Sequence, residues 1–168
     1  MSKLKAFWGK YKKIEIIGSG TLGNVYKAKY NDQYFSIKEI KNNKSYKNKF
    51  LREIIAVMKK MNCDNSVKLI ESVETEESFY IISELCYITL AEYLNMKKKA
   101  FSVEELKEFL IDLIKGLKVM YEKKIIHGDI KPSNILLSLN KNNVNKVCFK
   151  ISDFGLSKLY EENLLNKR

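Results

Sequence analysis

The sequence predicts an α+β fold in which a sheet-rich first half of five strands and one main helix precedes a mainly helical second half. Three observations predict it. Strand-length apolar runs cluster before Glu84, a Gly-rich turn and an acidic turn separate them, and apolar positions at helical spacing dominate afterwards.

Ile14 to Ile17 ends at Gly18-Ser19-Gly20, and Asn24 to Lys29 resumes an extended pattern, so two strands join through a Gly-rich turn. Tyr34 to Ile40 supplies a third strand. From Tyr46 to Met61 the positions Phe50, Ile54, Val57, Met58 and Met61 recur at helical spacing and predict an amphipathic helix. Val67 to Val73 and Phe79 to Ser83 read as strands on either side of the acidic turn Glu74 to Ser78. After Glu84-Leu85-Cys86 the pattern turns helical, first around Leu90, Tyr93 and Leu94, then from Val103 to Tyr121. Ser102 and Glu105 form a capping box for the second of these helices, each side chain satisfying an orphan N–H of the first turn. Leu106, Phe109, Leu110, Leu113, Ile114, Leu117 and Met120 make a broad apolar stripe, read as core packing. Ile135 to Leu137 and Val147 to Ile151 predict a strand pair, with Asn140 to Lys146 as a flexible polar loop between them.

A chain of 168 residues with 45% hydrophobic content suffices for one domain with a real core. The low Gly and Pro content excludes collagen-like and broadly disordered classes, and no apolar run approaches the ~20 residues that cross a bilayer. Met1 to Lys13 lacks the apolar region of a secretory signal, so a cytoplasmic or nuclear address is expected. Cys63, Cys86 and Cys148 are odd in number and widely spaced, so neither disulfide nor zinc is expected. The net charge of +11 raises the question of nucleic acid, but nearly all of it is Lys, with Arg only at 52 and 168. Fork-like base and phosphate recognition favours Arg, so a solvated basic surface is expected and no specific nucleic-acid site.

Gly18-Ser19-Gly20-Thr21-Leu22-Gly23-Asn24-Val25 fits Gly-x-Gly-x-x-Gly-x-Val, in which glycines let backbone N–H groups approach phosphates and Val25 offers an apolar face to a base. A chance Gly-rich hairpin fits the same eight residues. In Phe35-Ser36-Ile37-Lys38, strand alternation puts Ser36 and Lys38 on one face. Glu53, beside the apolar stripe of the first helix, is the expected partner that holds the Lys38 ammonium against phosphates. His127-Gly128-Asp129-Ile130-Lys131-Pro132-Ser133-Asn134 is the strongest segment. There Asp129 suits a proton acceptor for an incoming hydroxyl, Lys131 a neutraliser of the transferred phosphoryl group, and Asn134 a magnesium ligand. Asp153-Phe154-Gly155 adds a carboxylate for Mg²⁺, a hard cation that prefers oxygen. His127, the single His, reads as structural.

These motifs, in this order, resemble the protein kinase family from Gly18 through Gly155. The resemblance implies ATP in a cleft of a two-lobed fold, Lys38 paired with Glu53, Glu84 to Cys86 as the adenine-binding hinge, Leu136 beneath the adenine and Ser83 at the gatekeeper position. It implies ATP- and Mg²⁺-dependent phosphoryl transfer, and Lys131 two residues after Asp129 is the family's serine/threonine-type feature. Its divisions fall at 1–13 (basic leader), 14–83 (N-lobe), 84–87 (hinge) and 88–168 (partial C-lobe ending in the activation segment).

Tyr80-Ile81-Ile82-Ser83-Glu84-Leu85-Cys86 and Ile151-Ser152-Asp153-Phe154-Gly155-Leu156-Ser157-Lys158 are similar to the inositol-requiring kinase/endoribonucleases of the unfolded protein response. Gly128 departs from the family by standing where Arg is usual, which removes the charge clamp on a phosphorylated activation loop. Relative to the family, the chain reads as truncated after Asp-Phe-Gly, so a partner or a further C-terminal segment is expected over the helix from Leu106 to Met120. A non-catalytic nucleotide-binding or allosteric module is the alternative.

Overall fold

The computed structural model describes residues 7, 9–20, 23–41, 47–140 and 143–160. Thr21 and Leu22 of the Gly-rich motif lie outside them, as does the end of the expected activation segment. The architecture is α+β, and the chain forms two compact units.

The first unit is built on an antiparallel sheet of order β1-β2-β3-β5-β4, with β1 Lys12–Gly20, β2 Gly23–Tyr30, β3 Gln33–Lys41, β4 Leu69–Glu74 and β5 Ser78–Glu84. Its strands begin and end within three residues of the sequence expectation. One face carries a core of Ala28, Phe35, Ile37, Tyr80 and Ile82, spaced two apart along each strand as a pleated sheet requires. Phe7 and Tyr11 complete this core: Phe7 stacks on Tyr80 with ring centroids 4.4 Å apart, and Tyr11 meets Phe35 edge-on at 5.7 Å. The region taken as a basic leader therefore contributes two buried rings, because the apolar sheet face needs cover and the adjacent aromatics supply it. Lys10 Nζ donates to Glu71 at 2.5 Å and the Tyr11 hydroxyl donates to the same carboxylate. Burial, followed by that bond, pushes the Tyr11 phenol up to about 12. Glu71 moves the other way, held low first by Lys10.

Helix α1, Lys47–Lys60, buries Ile54, Val57 and Met58 of the expected stripe and Leu51 besides; Met61 is buried just past its end and Phe50 is half-buried. The compact units divide the chain at Arg52/Glu53 and Lys68/Leu69, so that 53–68 groups with the later residues. The reason is hydrogen bonding: Val67 N–H donates to Ile151 O at 2.9 Å, Ile151 N–H to Asn65 O at 2.9 Å, and Asn65 Nδ2 to Phe149 O at 3.2 Å.

In the second unit, α2 (Leu90–Lys97) and α3 (Val103–Glu122) both open with capping boxes, Thr89 with Glu92 and Ser102 with Glu105. The two-residue strand β6, Ile88–Thr89, pairs with β8, Ile135–Asn140, which pairs with β9, Asn143–Ile151. Asn143 to Lys146 thus belong to a strand and not to a loop. The backbone ladder runs to the Asn140–Asn143 pair, and ladder hydrogen bonds form irrespective of side-chain polarity. Phe109 meets Phe149 edge-on at 5.2 Å, and Leu113 packs on the same cluster as Leu90, Ile135 and Leu137. Gly116 lets α3 approach closely, since a Cβ there would lie 2.8 Å from Ile151 Cδ1 and 3.0 Å from Asn65 O. The stripe read as core is split: Phe109, Leu113 and Met120 pack inward, while Leu106, Leu110, Ile114 and Leu117 are exposed. Beyond α3, β7 (Ile125–Ile126) pairs antiparallel with β10 (Lys158–Leu159). No helix among the described residues is long and apolar enough to cross a membrane.

Candidate active site

In the first unit, register places the sequence-predicted residues. Gly18 pairs with Val25, Val25 with Lys38 and Lys38 with Ile81, while Ser36 pairs with Ser83. Directly paired residues project to the same side of a sheet, so Val25, Lys38, Ser36 and Ser83 share one face, opposite the Phe35–Ile37 core. Ser19 Oγ donates to Asn24 Oδ1 at 3.0 Å, and Gly20 pairs with Gly23 at the hairpin's end. At Gly23 φ is +140°, and an added Cβ would lie 1.9 Å from Glu39 O, so only glycine fits. At Gly20 nothing lies within 4 Å of such a Cβ and at Gly18 only Val25 at ordinary contact, so neither position requires glycine for packing. Glu84 ends β5 opposite Phe35.

Glu53 is exposed on α1. It stands beside the apolar stripe, next to buried Ile54 in sequence.

In the second unit the catalytic segment is held by side chains. His127 is 3% exposed. Its Nδ1 accepts from Asp129 N–H at 3.2 Å, which leaves the proton on Nε2 to donate to Ser152 O at 2.9 Å. Burial lowers the imidazole's affinity for a second proton. Asn134, also buried, donates through Nδ2 to Asp129 O at 2.9 Å and to Asp129 Oδ2 at 2.8 Å. Lys131 Nζ lies 2.8 Å from Asp129 Oδ2 and is the first cause that holds this carboxyl below its ordinary range. Ser152, through N–H at 2.9 Å and Oγ at 3.0 Å, donates to Asn134 O. Ser152 was not among the residues singled out from sequence. It is the node that ties His127 and Asn134 to the backbone beside Asp153.

Asp153 is exposed, with φ 55° in the left-handed region, and begins a 3-10 turn over Phe154–Leu156. Phe154 is buried with its ring 5.1 Å from His127. Gly128 has φ +84°, and a Cβ there would meet Leu156 O at 3.1 Å, which favours the residue found. Leu136, half-buried on β8, pairs with Thr89, and half-buried Cys86 precedes Tyr87, whose N–H donates to Leu137 O at 2.9 Å.

The donor set suits magnesium. Asn134 spends its Nδ2 on Asp129 and keeps an oxygen, and Asp153 offers a carboxylate. Both are hard oxygen donors, and Mg²⁺ characteristically takes one or two such groups together with substrate phosphates. No group of three or more His, Cys, Asp or Glu among the described residues is placed to hold a metal alone.

Comparison with known proteins bears on these residues directly. The family "Protein kinase domain" matches residues 11–167. Cyclin-dependent kinase F-3 of Oryza sativa subsp. japonica is 36% identical over 158 residues, covering 89% of this chain and 34% of that protein. The chain thus spans about a third of the length of the curated relative it matches.

Proposed function

The chain belongs to the protein kinase family, and on that premise we propose that it binds Mg-ATP and transfers the γ-phosphoryl group to a Ser or Thr hydroxyl of a protein. The network around Asp129 carries this reading. The carboxylate is ionised at neutral pH, Lys131 and Asn134 both bind Oδ2, and Oδ1 remains to accept the proton of an incoming hydroxyl. Lys131 then stands beside the charge that develops on the transferred group. Asn134 and Asp153 would hold Mg²⁺, which neutralises phosphate charge when bound. The family resemblance assigns the phosphates to Lys38, with Glu53 as its expected partner, and to the backbone of Gly18, Ser19, Gly20 and Gly23. It likewise assigns the base to Val25, Leu136 and the Glu84 to Cys86 segment, and the gatekeeper position to Ser83. The similarity of Ile151 to Lys158 to the inositol-requiring kinase/endoribonucleases is part of this reading and brings no ribonuclease activity to the chain.

The test is radiolabelled phosphotransfer to a mixed Ser/Thr/Tyr peptide substrate, alongside thermal shift in millimolar Mg-ATP. Turnover is expected on Ser or Thr and is abolished by Asp129→Asn, while Asp153→Asn loses the Mg-dependent part of the shift. A Mg-ATP shift without turnover in the parent would favour the non-catalytic nucleotide-binding module. No shift in a folded sample would remove both readings.

A further inference from the structure

In the second unit a cleft of about 660 Å³ is lined by Lys59, Lys60, Asn62, Glu122, Lys123 and Lys124. Lys59 and Lys60 form the last turn of α1, and Lys123 and Lys124 follow the end of α3, so two helix C-termini meet around one opening. Four lysines face one carboxylate, an excess of three positive charges. That carboxylate, Glu122, is already within 3.8 Å of Lys118 on its own helix. Among the described residues Lys59, Lys60 and Lys123 have no ion-pair partner, and all three are exposed. A helix terminus is served by a cation in its last turn. The dipoles therefore account for part of this charge and leave an excess concentrated at one place.

We propose that this cleft is a docking site for an acidic peptide segment, a run of Asp, Glu or phosphorylated residues, on a protein partner. Charge complementarity selects the class. The lysines are solvated point charges on flexible stems, suited to attracting an extended anionic chain over a Debye length, and no buried side chain encloses a small anion. Nucleic acid is disfavoured because the lining has no aromatic ring on which a base could stack and no Arg for bidentate contact. Location adds a consequence. Lys124 O accepts the N–H of Tyr160 at 3.0 Å, and the next two residues, Ile125–Ile126, pair with Lys158–Leu159 immediately before His127. A docked segment would therefore sit at the base of the strand pair that leads into the catalytic segment.

Fluorescence anisotropy of a labelled oligo-glutamate peptide on the full chain tests this, and it reads docking whether or not phosphotransfer occurs. Binding should weaken steeply as salt rises from about 50 to 200 mM. Lys59→Glu with Lys123→Glu should weaken it about tenfold or more, and the Gln pair, which adds no repulsion, should weaken it less but measurably. Lys107→Glu, exposed on α3 away from the cleft, should change it little. No peptide binding, or equal losses in the Lys107 control and the cleft variants, would overturn the proposal. Oligothymidylate that binds as tightly as the peptide and is lost in the same variants would overturn it in favour of nucleic acid.

Discussion

In the hairpin of β1 and β2 the residues named for nucleotide binding are placed mainly by backbone register, with Ser19 bonded to Asn24, whereas from His127 to Asn134 almost every one is held by a side-chain hydrogen bond. Strand β1 is largely exposed and β2 is half-buried, and the ladder fixes the face that Val25 and, on β3, Lys38 and Ser36 occupy. The catalytic segment is anchored by two buried polar residues, His127 and Asn134, and by Ser152. A register-built region yields mainly to backbone insults, while a network-built region yields to loss of one polar atom, because a buried donor or acceptor left alone keeps its full desolvation cost.

The largest effect should come from testing the hairpin at its one obligatory glycine. Gly23→Ala forces a Cβ to within 1.9 Å of Glu39 O at a φ of +140°, so the β2–β3 register has to shift. A destabilisation of ~3 kcal/mol or more is expected, together with weakened ATP binding. Gly20→Ala meets nothing within 4 Å and should cost under ~1 kcal/mol, while still weakening nucleotide binding if the backbone there approaches phosphate. Denaturant melts and ATP titration of both variants separate the two roles. Equal melts would break the distinction between the structural and the functional glycine.

In the catalytic segment, Asn134→Ala removes both hydrogen bonds to Asp129. Stability should fall by ~1–3 kcal/mol, and phosphotransfer by about 100-fold or more, because the Asp129 carboxylate keeps only Lys131 as a side-chain partner. Peptide KM should change far less than kcat. A loss confined to KM would show that the network binds substrate and does not position the base.

Much of this was legible in the sequence, since strands that alternate and helices that cap themselves declare their periods locally. The grouping of the candidate residues was legible too: Asp129, Lys131 and Asn134 lie within six residues, and the structure brings them to hydrogen-bonding distance. What stayed hidden is non-local. Asn65 and Val67 bond to Phe149 and Ile151 more than 80 residues away, and no local pattern marks that pairing. Ser152 acts through its backbone and hydroxyl on residues 18 and 25 positions distant, so a lone Ser gave no signal. Phe7 and Tyr11 sit among lysines without periodicity, and their burial follows only once the sheet exists to receive them.

Helix α3 offers a milder contrast, because one of its faces is packed and the other is not. Leu113 touches the Phe149 cluster, and Leu113→Ala should cost ~2 kcal/mol. Ile114, next to it in sequence and 61% exposed, should tolerate Glu within ~0.5 kcal/mol. Leu106, Leu110, Ile114 and Leu117 lie on one side of the helix, and an apolar strip of this kind promotes association. Light scattering should therefore show less self-association for Ile114→Glu than for the parent, and an unchanged profile would show that this strip is not the adhesive surface.

The smallest effect concerns protons, and it separates the two regions because the sequence holds a single His. Burial lowers the His127 pKa below the ordinary 6.5, and the hydrogen-bond pattern explains why the neutral ring is preferred: a second proton on Nδ1 would displace Asp129 N–H. The unfolded chain then takes up a proton near pH 6.5 while the folded chain stays neutral. Stability is fully present above that value and is lost as pH falls through the interval down to the folded pKa, with a slope of at most ~1.4 kcal/mol per pH unit for one proton. Asp129 shifts so as to favour its ionised form, lowered from 3.8 first by its hydrogen bond with Lys131. The segment from His127 to Asn134 should therefore loosen on mild acidification while the hairpin, which holds no histidine, keeps its ladder. An NMR titration of the lone imidazole reads this without assignment ambiguity. A midpoint below 6.5, matched by a decline in unfolding free energy over the same pH range, is expected. A midpoint at or above 6.5 would mean that Nδ1 is not the acceptor for Asp129, and that the segment is held by Asn134 and Ser152 without help from the histidine.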